Sequence, residues 1–224
     1  MEAVPIFAHR GASSFHLENT FPAFKKALEI GADGIELDVQ LTKDGVLVVF
    51  HDVDLQRLAG SKKFVAHCEY DELIRYKIGK RFKRLFSRER IMSFQEVLSW
   101  ANKENIALNV ELKESLLNNE QVLKNLLPTL QLPLNSHFSS FHPSLLETIK
   151  AVRPDLETAF IVTKKFDWST LSKHAFYDAI HAHKRYYKSH YLTACGAANI
   201  GMRFYGIQGN ERFLKNPHPA VGGH

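Results

Sequence analysis

Apolar and polar positions along the chain switch repeatedly between two periods. Short runs rich in Val, Ile, Leu and Phe read as strands, and runs with apolar residues spaced for one helical face read as helices. "VPIFAHR" predicts a first strand. "NTFPAFKKALEIG" predicts a helix with Phe21, Phe24, Ala27 and Leu28 on one face and Gly31 at its end. "GIELDVQL" and "VLVVFHD" predict two strands joined by "TKDG", whose Asp44 and Gly45 are a hairpin-turn signal. A less regular stretch follows, helical around "YDELIRY", before the helix "SFQEVLSWANKE" and the strand "IALNVELK". The rest alternates in the same way: helix "NEQVLKNLLPTLQ", strand "SHFSSF", helix "PSLLETIKAVRP", strand "TAFIVT", strand "YDAIHAH", helix "KRYYKSHYLTACGAAN" and strand "IGMRFYGI". Such alternation predicts a parallel sheet with crossover helices, either an open doubly wound sheet or a closed (β/α)8 barrel.

Polar residues interrupt the strand ends, and they favour the barrel. His9 and Arg10 finish the first strand, and His51 closes "VLVVFH". Glu36 and Asp38 lie two apart in "IELDV", on the strand face opposite Ile35, Leu37 and Val39; Glu111 and Lys113 repeat that spacing in "NVELK". In a (β/α)8 barrel the carboxyl ends of the strands meet at one mouth, where active sites sit. Three carboxylates there exceed what Arg10 and Lys113 can neutralise if a phosphate also binds. A hard divalent cation such as Mg²⁺ or Ca²⁺ resolves the imbalance. His9 and His51 can then move protons at neutral pH, and the set reads as metal-assisted cleavage of a phosphate ester. The alternative for each residue alone is a salt bridge or a satisfied polar group.

Composition changes the picture little. The 224 residues are 45% apolar and 24% charged, an ordinary globular balance with no run long enough for a membrane span. The N-terminus lacks the features of a secretory signal, and Cys68 and Cys195 have no metal or redox spacing, so unpaired thiols in a reduced cytoplasm are expected. The net charge of +5 is concentrated in "KIGKRFKRLFSRER", Lys77 to Arg90, with seven Lys or Arg and one Glu; the remainder is near neutral. This segment reads either as a weak contact for an anionic membrane or as a solvated cationic insertion. No nucleic-acid-binding motif accompanies it.

"HRGASSFHLENTFPAF", "GADGIELDVQLTKDGVLVVFHD" and "NVELK" closely resemble the glycerophosphodiester phosphodiesterase family, and "SSFHPSLLETIKAVRP" and "MRFYGIQGNERFLKNP" follow in the family's order. The resemblance implies one catalytic (β/α)8 domain over 1–224 with a small insertion at 53–93. It implies metal-dependent hydrolysis of a glycerophosphodiester to sn-glycerol 3-phosphate and an alcohol. By motif, His9 and His51 are the acid–base pair, Glu36, Asp38 and Glu111 hold the cation, Arg10 and Lys113 bind phosphate oxygens, and Tyr205 covers the glycerol. Glu18, Asn19 and Thr20 match the family's "ENT", with Asn19 or Thr20 expected to cap the first helix. His181 and His183 in "IHAH" are weaker candidates for lining the substrate site. The family's eighth strand and helix are expected beyond "NPHPAVGGH", so this chain is expected to lack them. Alternative readings are a lysophospholipase D or phospholipase-type diesterase acting on larger lipids, and a non-catalytic truncated barrel.

Overall fold

The computed structural model describes residues 4–173 and 175–221, apart from the side chain of Lys83. These residues gather into two compact units: 6–136, and 137–221 with 4–5.

The first unit is built around one long strand. In chain order it contains β1 (Phe7–His9), α1 (Phe21–Glu29), β2 (Gly34–Leu41), β3 (Leu47–Val49), α2 (Gln56–Ala59), α3 (Tyr70–Leu73), β4 (Met92–Ser93), α4 (Phe94–Glu104), β5 (Ala107–Leu112) and α5 (Glu120–Leu126). All eight residues of β2 are buried, although Glu36, Asp38 and Gln40 alternate with its apolar residues, so one face of the strand carries buried polar groups. The first half of β2 pairs in parallel with β1, its second half antiparallel with β3, and its length in parallel with β5. The β2–β3 connection is the turn expected at "TKDG": Gly45 has φ 83°, and Thr42 Oγ1 donates to Asp44 Oδ1 at 2.6 Å.

Packing fixes the helices on this sheet. The α1 ring of Phe24 is fully buried and stacks on Trp100 of α4 at 5.9 Å, with Phe21 edge-on to Trp100 at 5.7 Å. Burying a ring such as Phe24 contributes roughly 1.5–3 kcal/mol. The start of α4 carries a capping box, in which Ser93 Oγ accepts from the Glu96 amide and the Glu96 carboxylate accepts from the Ser93 amide. Its end is Asn105 in the left-handed conformation, φ 51°. The stretch between β3 and β4 has a small core of its own, with Leu55, Leu58, Val65, Leu73, Ile78 and Ile91 buried against Val48 and Phe50.

The second unit repeats a simpler theme. β6 (His137–Ser140), α6 (Pro143–Val152), β7 (Thr158–Ile161), β8 (Ala179–His183), α7 (Ser189–Ala197) and β9 (Gly201–Tyr205) follow in order. β6 pairs with β7, β7 with β8 and β8 with β9, all in parallel. Pro143 opens α6 at a position where its missing N–H costs nothing. Between β7 and β8 the crossover is a 3₁₀ turn, Trp168–Lys173, that periodicity did not single out. The expected helix over "KRYYKSHYLTACGAAN" is split into a 3₁₀ turn, Lys184–Tyr186, and α7. Beyond β9, Val221 makes an isolated parallel bridge to Met202, whose amide donates to Ala220 O at 2.7 Å. Both cysteines are free, as expected, and the structure buries them. Among the described residues no helix is long and apolar enough to cross a membrane.

Candidate active site

Strand register assembles the site within the first unit. His9 lies opposite Glu36 in the β1–β2 ladder, and Asp38 lies opposite Glu111 in the β2–β5 ladder. The amide of Phe50 donates to Asp38 O at 3.0 Å, which brings the end of β3, and with it His51, to the same strand. The amide of Lys113 donates to Val39 O at 3.1 Å. One strand, β2, thus carries two carboxylates and organises the other five groups around them.

Glu36, Asp38 and Glu111 each offer an oxygen, and these oxygens lie within 4.8 Å of one another. Asp38 is fully buried and Glu36 nearly so. Burial, followed by the charges of Asp38 and Glu111, pushes the Glu36 pKa well up. Burial also raises Glu111, against the opposing pull of Lys113. Lys113 Nζ donates to Glu111 Oε1 at 2.7 Å and sits 3.2 Å from Asp38 Oδ1. Burial opposes its charge, but the two carboxylates outweigh it and raise its pKa. Glu36 Oε1 is buried and accepts no hydrogen bond from a described residue. A buried carboxylate oxygen in that condition is costly unless a cation meets it.

Arg10 is not the last strand residue but the first of a turn, in the left-handed region at φ 56°. For a non-glycine residue that conformation costs about 1–2 kcal/mol, and the surroundings hold it in place. Its amide donates to Glu36 Oε2 at 2.9 Å, its Nη1 donates to Glu18 Oε1 at 2.9 Å, and its Nε lies 3.2 Å from Asp38 Oδ2. Gly11 follows at φ 77°, where an added Cβ would stand 2.7 Å from the backbone carbon of Ala23. The "RG" pair is therefore a tight turn pressed against α1.

The "ENT" residues serve the site rather than the helix. Thr20 occupies the N-cap position of α1 but makes no capping hydrogen bond; its hydroxyl donates to Leu17 O at 2.6 Å. Asn19 is buried, and its Nδ2 donates to Asp38 Oδ2 at 2.9 Å. The cap expected of these two residues is not formed. Glu18 binds Arg10 and, through a bidentate pair of 2.7 and 2.6 Å, Arg57 of α2. Arg57 also binds Asp52, with Nε 2.6 Å from Oδ2, and His51 Nδ1 donates to Asp52 Oδ1 at 2.7 Å. A carboxylate can only accept, so this bond fixes the proton on Nδ1 and leaves Nε2 of His51 free for chemistry.

His9 stands at the rim with a two-thirds exposed side chain, its Nε2 4.0 Å from Glu36 Oε2. Partial desolvation and then the Arg10 cation lower its pKa, so the ring is unprotonated at neutral pH. Around the site, Glu18, Glu36, Asp38, Asp52 and Glu111 face the permanent cations Arg10, Arg57 and Lys113. Two negative charges are left over, the deficit that one divalent cation balances.

Sequence reasoning missed Asp52 and Arg57 and undervalued Glu18 and Asn19. The "HD" pair was a usable signal for Asp52. Nothing local marked Arg57, whose partner Glu18 is 39 positions away.

Glu18 supplies a pH test. Burial opposes its charge, but the hydrogen bonds and charges of Arg57 and Arg10 prevail and hold its pKa at about 2, against an ordinary 4.5. The stabilisation is complete above the ordinary value and disappears as pH falls through about 2. Glu18→Gln is expected to destabilise the protein at neutral pH by about 2 kcal/mol, allowing for solvent screening at half-exposed Arg57. Thermal melts should show the gap between the two proteins closing as the pH is lowered below about 4.

In the second unit, Tyr205 ends β9 with its ring edge-on to His183 at 5.5 Å. His183 Nδ1 accepts from the Arg185 amide at 3.2 Å. His181 is buried beside His137 at 5.2 Å, and burial and then Arg203 depress its pKa to about 3. It is a neutral core histidine.

The profile of the glycerophosphoryl diester phosphodiesterase family matches residues 9–206. A glycerophosphodiester phosphodiesterase of Bacillus altitudinis is 38% identical over 160 residues, and one of Caldanaerobacter subterraneus subsp. tengcongensis is 35% identical over 159. Each alignment takes in 70% of this chain and 65% of the relative, so the chain spans a little under two thirds of these proteins. The solved structure of an Oleispira antarctica phosphodiesterase, in complex with the product sn-glycerol-3-phosphate, superposes with a TM-score of 0.78 at 25% identity. That superposition covers 95% of this chain and 87% of the other. The chain belongs to the glycerophosphoryl diester phosphodiesterase family.

Proposed function

We propose that the protein hydrolyses glycerophosphodiesters to sn-glycerol 3-phosphate and an alcohol, with one Mg²⁺ or Ca²⁺ held by Glu36, Asp38 and Glu111. The observation that carries the reading is the convergence of these carboxylates with Arg10, Lys113, His9 and His51 at neighbouring strand ends. The strand–helix succession inside each unit supports a (β/α)8 scaffold of the kind expected from the sequence.

The donor set suits a hard cation, because all three ligands are carboxylate oxygens and one of them is buried with no hydrogen bond among the described residues. Held by Glu36, Asp38 and Glu111, such a cation would supply Lewis-acid stabilisation of the phosphoryl group. The protein's own groups do the rest. Arg10 and Lys113 present fixed positive charge to the non-bridging oxygens as negative charge grows on them. His51, its proton held on Nδ1 by Asp52, uses Nε2, and His9 is the second imidazole. One takes the proton of the attacking hydroxyl while the other protonates the leaving alkoxide. When the glycerol hydroxyl attacks first, the P–O bond to the alcohol breaks and a cyclic phosphate forms; water then opens it with the two histidine roles exchanged.

A shallow cleft of about 190 Å³ is lined by Gln40, Val53, Phe64, His67, Glu114 and Ser115. Glu114 follows Lys113 directly and Val53 stands two residues beyond His51 in the chain, which supports assigning the cleft to the alcohol portion of the substrate. For Tyr205, the contact with glycerol rests on the family resemblance.

The test is release of glycerol 3-phosphate from a panel of soluble glycerophosphodiesters, with and without a chelator. Chelation is expected to lower the rate by about 10²-fold or more, with recovery on adding back Mg²⁺ or Ca²⁺. A rate unchanged by chelation overturns the cation assignment, and no release from any diester overturns the activity.

A further inference from the structure

Between β3 and β4, a 3₁₀ helix spans Arg81–Phe86. Side chains three apart on such a helix eclipse one another, so Phe82 and Leu85 share an edge, with Phe86 next to them. All three are turned out to solvent: Phe82 is 84% exposed, Leu85 65% and Phe86 88%. Three large apolar side chains in one short element are an exposed patch and not scattered surface residues.

The patch stands on a fixed base. The amide of Ile78 donates to Glu89 O at 3.0 Å and that of Gly79 to Leu58 O at 2.9 Å, which pins both ends of the loop. Ile78 and Ile91 are buried in the small core described above. The Arg84 guanidinium is folded back over Gly60, so close that an added Cβ would stand 2.3 Å from its Nη1. Arg84 serves the base, while the apolar tips remain exposed.

Around the tips the charge is predominantly positive, with Glu89 the one carboxylate of the segment. Lys77, Lys80, Arg81 and Arg88 are exposed, and none forms an ion pair with a described residue. Cations flanking exposed Phe and Leu match an anionic bilayer surface, where rings enter the headgroup boundary and Lys and Arg meet lipid phosphates. A second copy of the chain fits poorly, since a two-fold contact through this patch would set the same four cations against themselves.

We propose that the 77–90 loop is an interfacial anchor that docks the protein on anionic lipid bilayers through Phe82, Leu85 and Phe86, with Lys77, Lys80, Arg81 and Arg88 as the electrostatic component. The enzyme then works at the surface from which glycerophospholipid-derived substrates arise, without a membrane-spanning segment in the described residues.

Flotation with phosphatidylcholine vesicles, with and without about 30 mol % phosphatidylglycerol, tests this. The protein is expected to float with the anionic vesicles at about 0.1 M salt, and at least about tenfold less with neutral vesicles or at about 0.5 M salt. The triple substitution Phe82→Ser, Leu85→Ser, Phe86→Ser should reduce vesicle binding at least about tenfold. It should leave the melting temperature and the turnover of a soluble diester unchanged, since these side chains are exposed. Lys80→Glu with Arg88→Glu should reduce both binding and its dependence on salt. Equal flotation of the wild type and the triple variant overturns the proposal, as does indifference to lipid charge. A concentration-dependent dimer abolished by the triple substitution would also overturn it, by assigning the patch to self-association.

Discussion

Glu36→Gln is expected to remove activity and, in the absence of metal, to make the protein more stable. The two effects have one origin. Glu36 is buried, with one oxygen accepting from the Arg10 amide and the other without a hydrogen bond among the described residues, and it faces Asp38 and Glu111. Ionising it without a cation costs free energy, which its raised pKa records. For a carboxyl with a raised folded-state pKa, stability declines as pH rises from the unfolded value towards the folded one. At neutral pH a neutral amide escapes that penalty, keeps the bond to the Arg10 amide and turns an N–H towards the other carboxylates. In the chelated protein the melting temperature should rise by about 2–4 °C, as relief of about 1 kcal/mol implies for a chain of this size. With the cation set reduced, the rate of diester cleavage should fall by about 10³-fold. Mg²⁺ or Ca²⁺ at millimolar concentration should raise the melting temperature of the wild type and leave that of the variant where it was. Melts with and without metal, beside a glycerol 3-phosphate assay, check all three outcomes; a metal-free variant less stable than the wild type would contradict the charge argument.

His51→Ala should cost about 10²–10⁴ in kcat with little change in melting temperature, because its ring is partly exposed and its role is proton transfer. Asp52→Ala is expected to have a smaller effect of the same kind, since it frees the ring to rotate and to carry its proton on the wrong nitrogen. In an assay with an activated leaving group, the histidine that protonates the alkoxide should become nearly dispensable while the other does not. Comparing His51→Ala with His9→Ala on such a substrate assigns the two roles.

Much of this site could be read from the amino-acid order because its geometry is periodic. Glu36 and Asp38 share a strand face by spacing, and Glu111 and Lys113 repeat the spacing on the strand that pairs with β2 in register. The buried strand β2, the helix at 94–104 and the hairpin turn at Asp44 and Gly45 likewise follow from local pattern. What stayed hidden depends on tertiary placement. Asn and Thr before a helix are the residue types of a cap, and also those of a buried hydrogen-bond donor; only the fold sends Asn19 to Asp38. Arg10 looks like a strand residue until its left-handed backbone turns the guanidinium towards Glu18 and Asp38. The two-residue strand β4 and the short helix α2 fall below the length at which periodicity carries a signal.

Arg57 belongs to the stretch between β3 and β4, yet it grips Glu18 and, through Asp52, reaches the imidazole of His51. On the proposed roles, the position of the His51 imidazole therefore depends on an element with its own minor core. Partial unfolding confined to that element would release the guanidinium and let the imidazole drift while the β2-centred sheet remained intact. In a urea titration, turnover should fade before the far-ultraviolet signal changes. Amide protons of Leu55, Ala59 and Val65 should exchange faster than those of β2.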